Sequence, residues 1–479
     1  MNKYPRLVVA GVRGGSGKTM LSLGIIAALR NRKGLSVVPF KKGPDYIDAG
    51  WMSVAAGNPC YNLDPFLIKK EKIMDSFLSH FTGDIAIIEG NRGLYDGMDV
   101  EGSYSTAELA KLLKAPVVLI IDCTKMTRTA AAIVLGCLNM DKEVGIKGVV
   151  LNQLSGSRHE SVIRASVERY CALPVVGAIP RLPSGDLPER HMGLTPYQEH
   201  EDIGRAIEQA TDMAMKYLDM DRILDIAKTA DPLEKDQVQL EQQKSPTEGE
   251  LKSPTVVEAE GIEKTVRIGI IRDSAFQFYY PENLEELERN GAEIVEINAM
   301  EEDGLPDLDA LYIGGGFPET NAIRLAENTS FRHSVHKAVE KGLPVYAECG
   351  GLMFLGDAIV LESGSYPMVG IFPLNFEMKK KPQAHGYTVV EVERQNPFYP
   401  VGTILHGHEF HYSAVIGMSD KKGVYTALKV KRGNGIKDKT DGICYKNVFA
   451  AYTHVHALGV EEWAIGLIKK AREFKVKND

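Results

Sequence analysis

Two groups of residues in this chain have types and spacings suited to chemistry, one in each half. In the first, the apolar run Arg6-Leu-Val-Val-Ala10 breaks into glycines and ends in Gly17-Lys18-Thr19. The run reads as a buried strand, and Met20 to Arg30 carries an amphipathic helix pattern, so the glycines fall on the turn between them. Such a turn is a phosphate loop. Backbone N–H groups around Gly14, Gly15 and Gly17 can close on phosphate oxygens, and the helix start adds favourable partial charge. Lys18 reaches the outer phosphates, and the Thr19 hydroxyl suits Mg2+. A nucleotide is the expected ligand. Five residues, not the usual four, separate Gly11 from Gly17.

More candidates follow the next apolar runs. Lys41-Lys-Gly-Pro-Asp45-Tyr-Ile-Asp48 comes after one, and Glu89-Gly-Asn-Arg-Gly-Leu-Tyr-Asp96-Gly97 ends another. Parallel sheets bind ligands beyond the carboxyl ends of their strands, so Asp45, Asp48, Glu89 and Asp96 gather at one edge beside the phosphate loop. Hard carboxylate oxygens there suit Mg2+. Each acid alone is equally well read as a turn or helix-cap residue, and it is their joint occurrence that points to a metal. Lys41, Lys42 and Arg92 read either as solvated charges or as receivers of substrate carboxylates.

In the second half, Pro344-Val-Tyr-Ala347 runs into Glu348-Cys349-Gly350-Gly351. A cysteine on a sharp strand-to-helix turn is a nucleophile elbow. The expectation is a sulfur exposed at a helix N-terminus, with a lowered pKa and N–H groups placed to hold an oxyanion. Its base should be a histidine, and His454 and His456 stand near the end of the chain. His408, Glu409 and His411 lie within four positions of one another, but without the spacing of a helical zinc motif, on a segment that looks like a strand. Their expected role is structural or at a domain interface.

These residues need elements to position them. Arg6–Ala10, Ser36–Phe40, Asp84–Ile88, Ala115–Ile121, Lys147–Leu151 and Pro174–Ile179 are apolar runs rich in Val and Ile, alternating with helical patterns. They imply a parallel sheet covered on both faces, an α/β fold. Residues 231–264 are rich in Glu, Lys, Gln, Ser and Pro and read as a linker. The strand pattern restarts at Val266. The expected organisation is therefore a P-loop domain over 1–230, the linker, and a second α/β domain over 265–479.

With 479 residues and a net charge of −8, the chain has ample core and no global attraction for nucleic acid or anionic membrane. No apolar run approaches the roughly 18 residues of a membrane span, and no signal region is visible, so the expected location is cytoplasmic. The six cysteines are widely spaced, which suggests neither disulfides nor zinc.

The long phosphate loop resembles that of dethiobiotin synthetase, which phosphorylates a carboxylate with ATP. Together with Phe40–Asp48, Asn62-Leu-Asp64, Glu89–Gly97 and Arg190-His-Met-Gly-Leu194, it is similar to the cobyrinic acid a,c-diamide synthase family over almost the whole chain. That resemblance implies an amidoligase that activates the a and c acetates of a corrin as acyl phosphates, with ATP and L-glutamine as co-substrates and Mg2+ as cofactor. It assigns Asp48 and Glu89 to the metal, Asp45 and Asp96 to the catalytic edge, and Asn152 to the adenine. Arg190 and His191 then lie near the macrocycle, whose carboxylates a guanidinium recognises bidentately.

From about Val266 the chain resembles the class I glutamine amidotransferases in their cobyrinic and cobyric acid synthase branch, which makes Cys349 the nucleophile and His454 its base. His456 stands where the wider class has its triad glutamate, so the sequence names no group to orient His454. A related amidation, that of nickel-sirohydrochlorin on the way to coenzyme F430, fits the same motifs. In another class stands a regulatory or partition-type P-loop ATPase with a vestigial second domain, against which the intact Cys349 and His454 speak. A homodimer is a further family expectation.

Overall fold

Strand β1 (Arg6–Gly11) is buried along its whole length, as its unbroken apolar run requires of a strand covered on both faces. Six further strands complete its sheet: β2 (Val37–Lys42), β3 (Tyr61–Leu63), β4 (Ile85–Gly93), β5 (Val117–Asp122), β6 (Ile146–Leu154) and β7 (Val175–Pro180). The order is β3-β2-β4-β1-β5-β6-β7, and every pairing is parallel. The expected doubly covered α/β sheet is therefore present. The one strand not anticipated is β3, whose three residues are too short to show a pattern.

The computed structural model describes residues 4–182, 189–190, 193–200, 202–233 and 265–478. The described chain forms two units: one runs to Leu233 without Phe66–Lys69, and the other joins Phe66–Lys69 to the residues from Thr265 onward. The linker expected over 231–264 lies outside the described residues from 234 on. Asp231 still belongs to the first unit, since its carbonyl accepts from Arg6 Nη2 at 2.5 Å, and Leu233 is buried.

In the first unit, helix α1 (Lys18–Lys33) follows the phosphate loop and carries an almost continuous buried stretch from Leu21 to Leu29. Helix Ile203–Tyr217 packs on it through Ala206, Ala210 and Ala214, small residues that allow close approach. Helix α2 (Ile47–Ala56) brings Trp51 into the same core.

The second unit has a ten-stranded sheet. Its parallel part runs Ala292–Ile297, Val266–Ile271, Ala310–Ile313, Val345–Glu348 and Val448–Ala451. It continues with antiparallel pairings through Thr440–Tyr445, Tyr425–Arg432, Ala384–Val392, Ile404–His411 and His454–Val455. Helix Glu461–Asn478 buries Trp463, Leu467 and Ile468 among aromatic side chains that include Tyr312 and Tyr346. Among the described residues all six cysteines are free, and no helix is long and apolar enough to cross a membrane.

Candidate active site

The register of the first sheet already joins its chemical groups. Lys41 on β2 is the cross-strand partner of Glu89 on β4, and Val9 on β1 is the partner of Glu89 on the other side. Side chains at paired positions meet, and Lys41 Nζ lies 2.9 Å from Glu89 Oε1. The same ammonium is 2.7 Å from Asp48 Oδ2, on the first turn of α2. Thr19 Oγ1, at the start of α1, donates to Glu89 Oε1 at 2.8 Å and lies 3.3 Å from Asp48 Oδ2. Burial pulls the Lys41 pKa down, but Asp48 and Glu89 outweigh it and hold the ammonium charged. Glu89 is itself pushed up to about 7, burial outweighing its contact with Lys41.

Gly17 shapes the phosphate loop at φ +96°, where a Cβ would stand 2.5 Å from the Asn152 amide nitrogen. Gly15 is also left-handed, at φ 72°, while Gly14 stands open, with nothing within 4 Å of a Cβ built there. Lys18 Nζ crosses the loop to the carbonyls of Arg92 and Arg13, at 2.7 and 3.3 Å. Its burial favours the neutral amine and lowers its pKa. Asn152 donates to Ser16 O at 3.0 Å, so its amide also braces the loop.

The other two acids carry local hydrogen bonds. Asp45 Oδ1 accepts from Asp48 N at 2.8 Å, and burial followed by the Asp48 charge raises it to about 6. Asp96 Oδ2 accepts from Gly93 N at 2.8 Å and closes the turn after β4. Both do the capping work open to any single aspartate, while Asp48 and Glu89 converge with Thr19. Lys41 and Lys42 are not solvated: Lys41 lies between two acids, and buried Lys42 lies 3.7 Å from buried Asp64. Arg92 is exposed. Arg190 pairs through its backbone with Gly193, and His191 lies outside the described residues.

Among the described residues, no group of three or more His, Cys, Asp and Glu side chains could hold a metal on its own. Mg2+ does not require one, since one or two carboxylates with phosphate oxygens and waters suffice. Glu89 Oε2 is buried without a hydrogen-bond partner, and its neighbours Thr19 Oγ1 and Asp48 Oδ2 are hard oxygen donors. The residues fit that ion.

In the second unit, strand Val345–Glu348 ends at Cys349, whose φ 46° and ψ −96° mark the strained turn of a nucleophile elbow. Helix Gly350–Leu355 follows at once. The exposed, acidified sulfur expected from the sequence is not found. Cys349 is 5% exposed, and burial, with Glu319 nearby, pushes its thiol well above the ordinary value. The helix has only six residues and adds little to oppose this, although the Gly350 N–H bonds in the direction that favours thiolate. A buried thiol needs a base.

His454 supplies an imidazole at the same turn. Gly315 permits its approach, because a Cβ there would stand 2.5 Å from His454 Cε1, and one at Gly350 would stand 3.4 Å from the Gly315 carbonyl carbon. His408, its cross-strand partner, stacks on the ring at 4.8 Å and is kept neutral by burial. His454 Nδ1 lies 3.4 Å from Glu348 Oε2. His456 turns elsewhere: its Nε2 lies 3.6 Å from buried Glu282, and its Nδ1 accepts from Leu458 N at 3.3 Å.

Asp441 accepts from Tyr452 N, Thr453 N and Thr453 Oγ1 at 2.8–3.0 Å and fixes the segment that leads into His454. Glu409 receives the amides of Asn434 and Gly435 and ties down a loop, while His411 stacks on Tyr452 at 3.6 Å. These contacts fit the structural role expected for the Gly407–Ser413 segment. Glu348 and Asp441 escaped the sequence reading. Glu348 was in plain view beside Cys349, but only the fold brings it to His454.

Residues 7–194 match the CobQ/CobB/MinD/ParA nucleotide binding domain, and residues 267–461 match the CobB/CobQ-like glutamine amidotransferase domain. The cobyrinate a,c-diamide synthase of Magnetococcus marinus is 42% identical over 472 residues, 98% of each chain. The chain belongs to the cobyrinate a,c-diamide synthase family. The protein with that name from Archaeoglobus fulgidus is 41% identical over 98% of each chain, and that from Methanothermobacter thermautotrophicus is 39% identical over 98% of this chain and 100% of its own. The family match makes this enzyme a glutamine-hydrolysing amidoligase with its nucleotide and glutamine domains in one polypeptide. The elbow cysteine and the phosphate loop both fall within the matched segments.

Proposed function

We propose that this enzyme amidates the a and c acetate carboxylates of cobyrinic acid, using ATP and glutamine, as a step of cobalamin biosynthesis. The observation that carries the proposal is the pairing, in one chain, of the Thr19, Asp48 and Glu89 oxygens beside a phosphate loop with the strained Cys349 turn and a His454 ring that shares Gly315 as its neighbour. Relatives named cobyrinate a,c-diamide synthase match over 98% of this chain, which supports cobyrinic acid as the acceptor.

In this reading His454 takes the Cys349 proton as sulfur attacks the glutamine carboxamide and gives it to the leaving ammonia, and water then cleaves the resulting thioester to release glutamate and restore the thiol. The Gly350 amide faces the reacting sulfur and stabilises charge there. In the first unit, Lys18 and the backbone of Gly14, Gly15 and Gly17 hold the nucleotide phosphates, and Asn152 keeps the loop in shape near the base. When bound, Mg2+ supplies charge neutralisation across the phosphates, held by Thr19, Asp48 and Glu89. Asp45 and Asp96 fix the loops that present the acceptor carboxylate. That carboxylate takes the γ-phosphoryl group of ATP, releasing ADP, and ammonia then displaces inorganic phosphate from the acyl phosphate to leave the amide.

Mass spectrometry of products made with ATP, Mg2+ and glutamine tests the acceptor, with cobyrinic acid and nickel-sirohydrochlorin offered separately. Two amide substitutions on cobyrinic acid are expected. A strong preference for the nickel compound would move the enzyme to coenzyme F430 synthesis, and glutamine hydrolysis with neither amidated would reopen the acceptor.

A further inference from the structure

We infer that Glu348 is the positioning residue of the glutaminase centre, holding His454 in the tautomer that can take the Cys349 proton. The assignment rests on the glutaminase reading of Cys349 and His454. It answers a question raised by the sequence, in which His456 occupies the place of the usual acid. That histidine faces Glu282 and the Leu458 amide, away from the task. Glu409, another acid near the sulfur, is taken up by the amides of Asn434 and Gly435.

Glu348 has the right surroundings. Its side chain is fully buried at the end of strand Val345–Glu348, next to the nucleophile in sequence. Val455 N donates to Oε1 at 3.2 Å, and Tyr312 Oη donates to Oε2 at 3.1 Å. His454 Nδ1 faces the same Oε2 at 3.4 Å, a separation that suits a catalytic hydrogen bond which tightens when substrate binds.

Both Glu348 oxygens already accept, from Val455 N and Tyr312 Oη, so an Oε2 that accepts again sets the proton of His454 on Nδ1 and leaves Nε2 with a lone pair for the thiol. The Val455 amide also anchors the carboxylate to the residue after His454, so ring and acid move together. Because Val455 N–H cannot reverse, it fixes an acceptor oxygen at Oε1. In Glu348→Gln the NH2 group therefore falls at Oε2, facing Nδ1. Nδ1 must then accept, its proton moves to Nε2, and the imidazole can no longer deprotonate Cys349.

Full-length Glu348→Gln, Glu348→Asp and Cys349→Ala proteins are assayed for glutamine hydrolysis and for amidation driven by ammonia. Glu348→Gln is expected to lower the glutaminase kcat by about 10²–10⁴-fold, the scale of a tautomer lost to a carboxylate-to-amide change. The KM for glutamine should stay within about threefold, because no group that binds substrate is removed. Glu348→Asp, which keeps the acceptor but shortens its reach, should fall between Gln and wild type, and ammonia-driven amidation should persist in all three.

A packing role reverses the order, since Gln keeps the shape that Asp loses. Glu348→Gln turnover within about threefold of wild type, or Asp below Gln, overturns the assignment. If the Gln protein does not fold, Asp decides alone: a fall in kcat at constant KM supports the assignment, and an unchanged kcat overturns it. Glutaminase activity surviving in Cys349→Ala would instead remove the glutaminase reading on which all of this stands.

Discussion

Lys41 and Glu89 face each other across β2 and β4 with Nζ and Oε1 2.9 Å apart, and neither side chain is more than 3% exposed. Asp48 completes the arrangement at 2.7 Å from the same ammonium. One buried cation thus balances the two acids assigned to Mg2+ and keeps them from repelling each other beside the phosphate loop. Taking charges out of water costs several kcal/mol each, so the cluster holds only while its partners are complete.

Removing the cation leaves two acids facing each other in a dry site. Lys41→Met is expected to lower the stability of the first unit by about 3–5 kcal/mol, the usual consequence of deleting one member of a buried pair. Urea denaturation read by ATP binding checks it. Ammonia-driven amidation should fall with it, while glutamine hydrolysis, which uses other residues, should persist.

Asp441 gives the second unit a titration of its own. Burial, followed by the nearby Glu409, raises its carboxyl from 3.8 to about 6 in the folded protein. The folded state then holds this proton more tightly than the unfolded chain, so the contribution is fully present below the unfolded value and is lost as pH rises through about 6. The difference in unfolding free energy between wild type and Asp441→Asn should therefore decline over that interval and level off above it. Urea titrations at several pH values check the sign, which is opposite to that of a salt-bridged carboxylate.

The two histidines near the chain end should separate cleanly. His454→Ala is expected to abolish glutamine hydrolysis. His456→Gln is expected to retain it within about tenfold and to cost about 1–3 kcal/mol of stability, because it disturbs a buried polar pair with Glu282 and not the reacting group. Steady-state glutaminase assays beside thermal unfolding distinguish the two.

Much of the first unit was legible in the sequence because its strands are unbroken apolar runs and its chemistry follows them directly. Arg6–Gly11 and Gly17-Lys18-Thr19 declare a strand, a turn and a helix within fourteen residues. The solvated reading of Lys41 failed because its burial depends on register: only the pairing of β2 with β4 sets it against Glu89.

In the second unit the Cys349 elbow announced itself through its glycines, but its environment did not. A buried thiol with a raised pKa is the product of packing from elements far along the chain. Apart from the strand-like His408–His411 segment, the antiparallel half of the large sheet was also missed, although Leu428 and Val430 are buried on either side of exposed Lys429, the alternation of a strand with one wet face. Glu348 reaches His454 across 106 residues of sequence, and no local pattern carries that contact.

The division of labour between the two centres is the central claim, and one substitution tests it most directly. In Cys349→Ala, amidation of the acceptor is measured with glutamine and then with ammonia as the nitrogen source, at saturating ATP and Mg2+. Glutamine-dependent turnover should vanish while ammonia-dependent turnover remains near wild type, since only the ammonia source is removed. Loss of both activities in a folded protein, or survival of the glutamine-dependent one, would contradict the account.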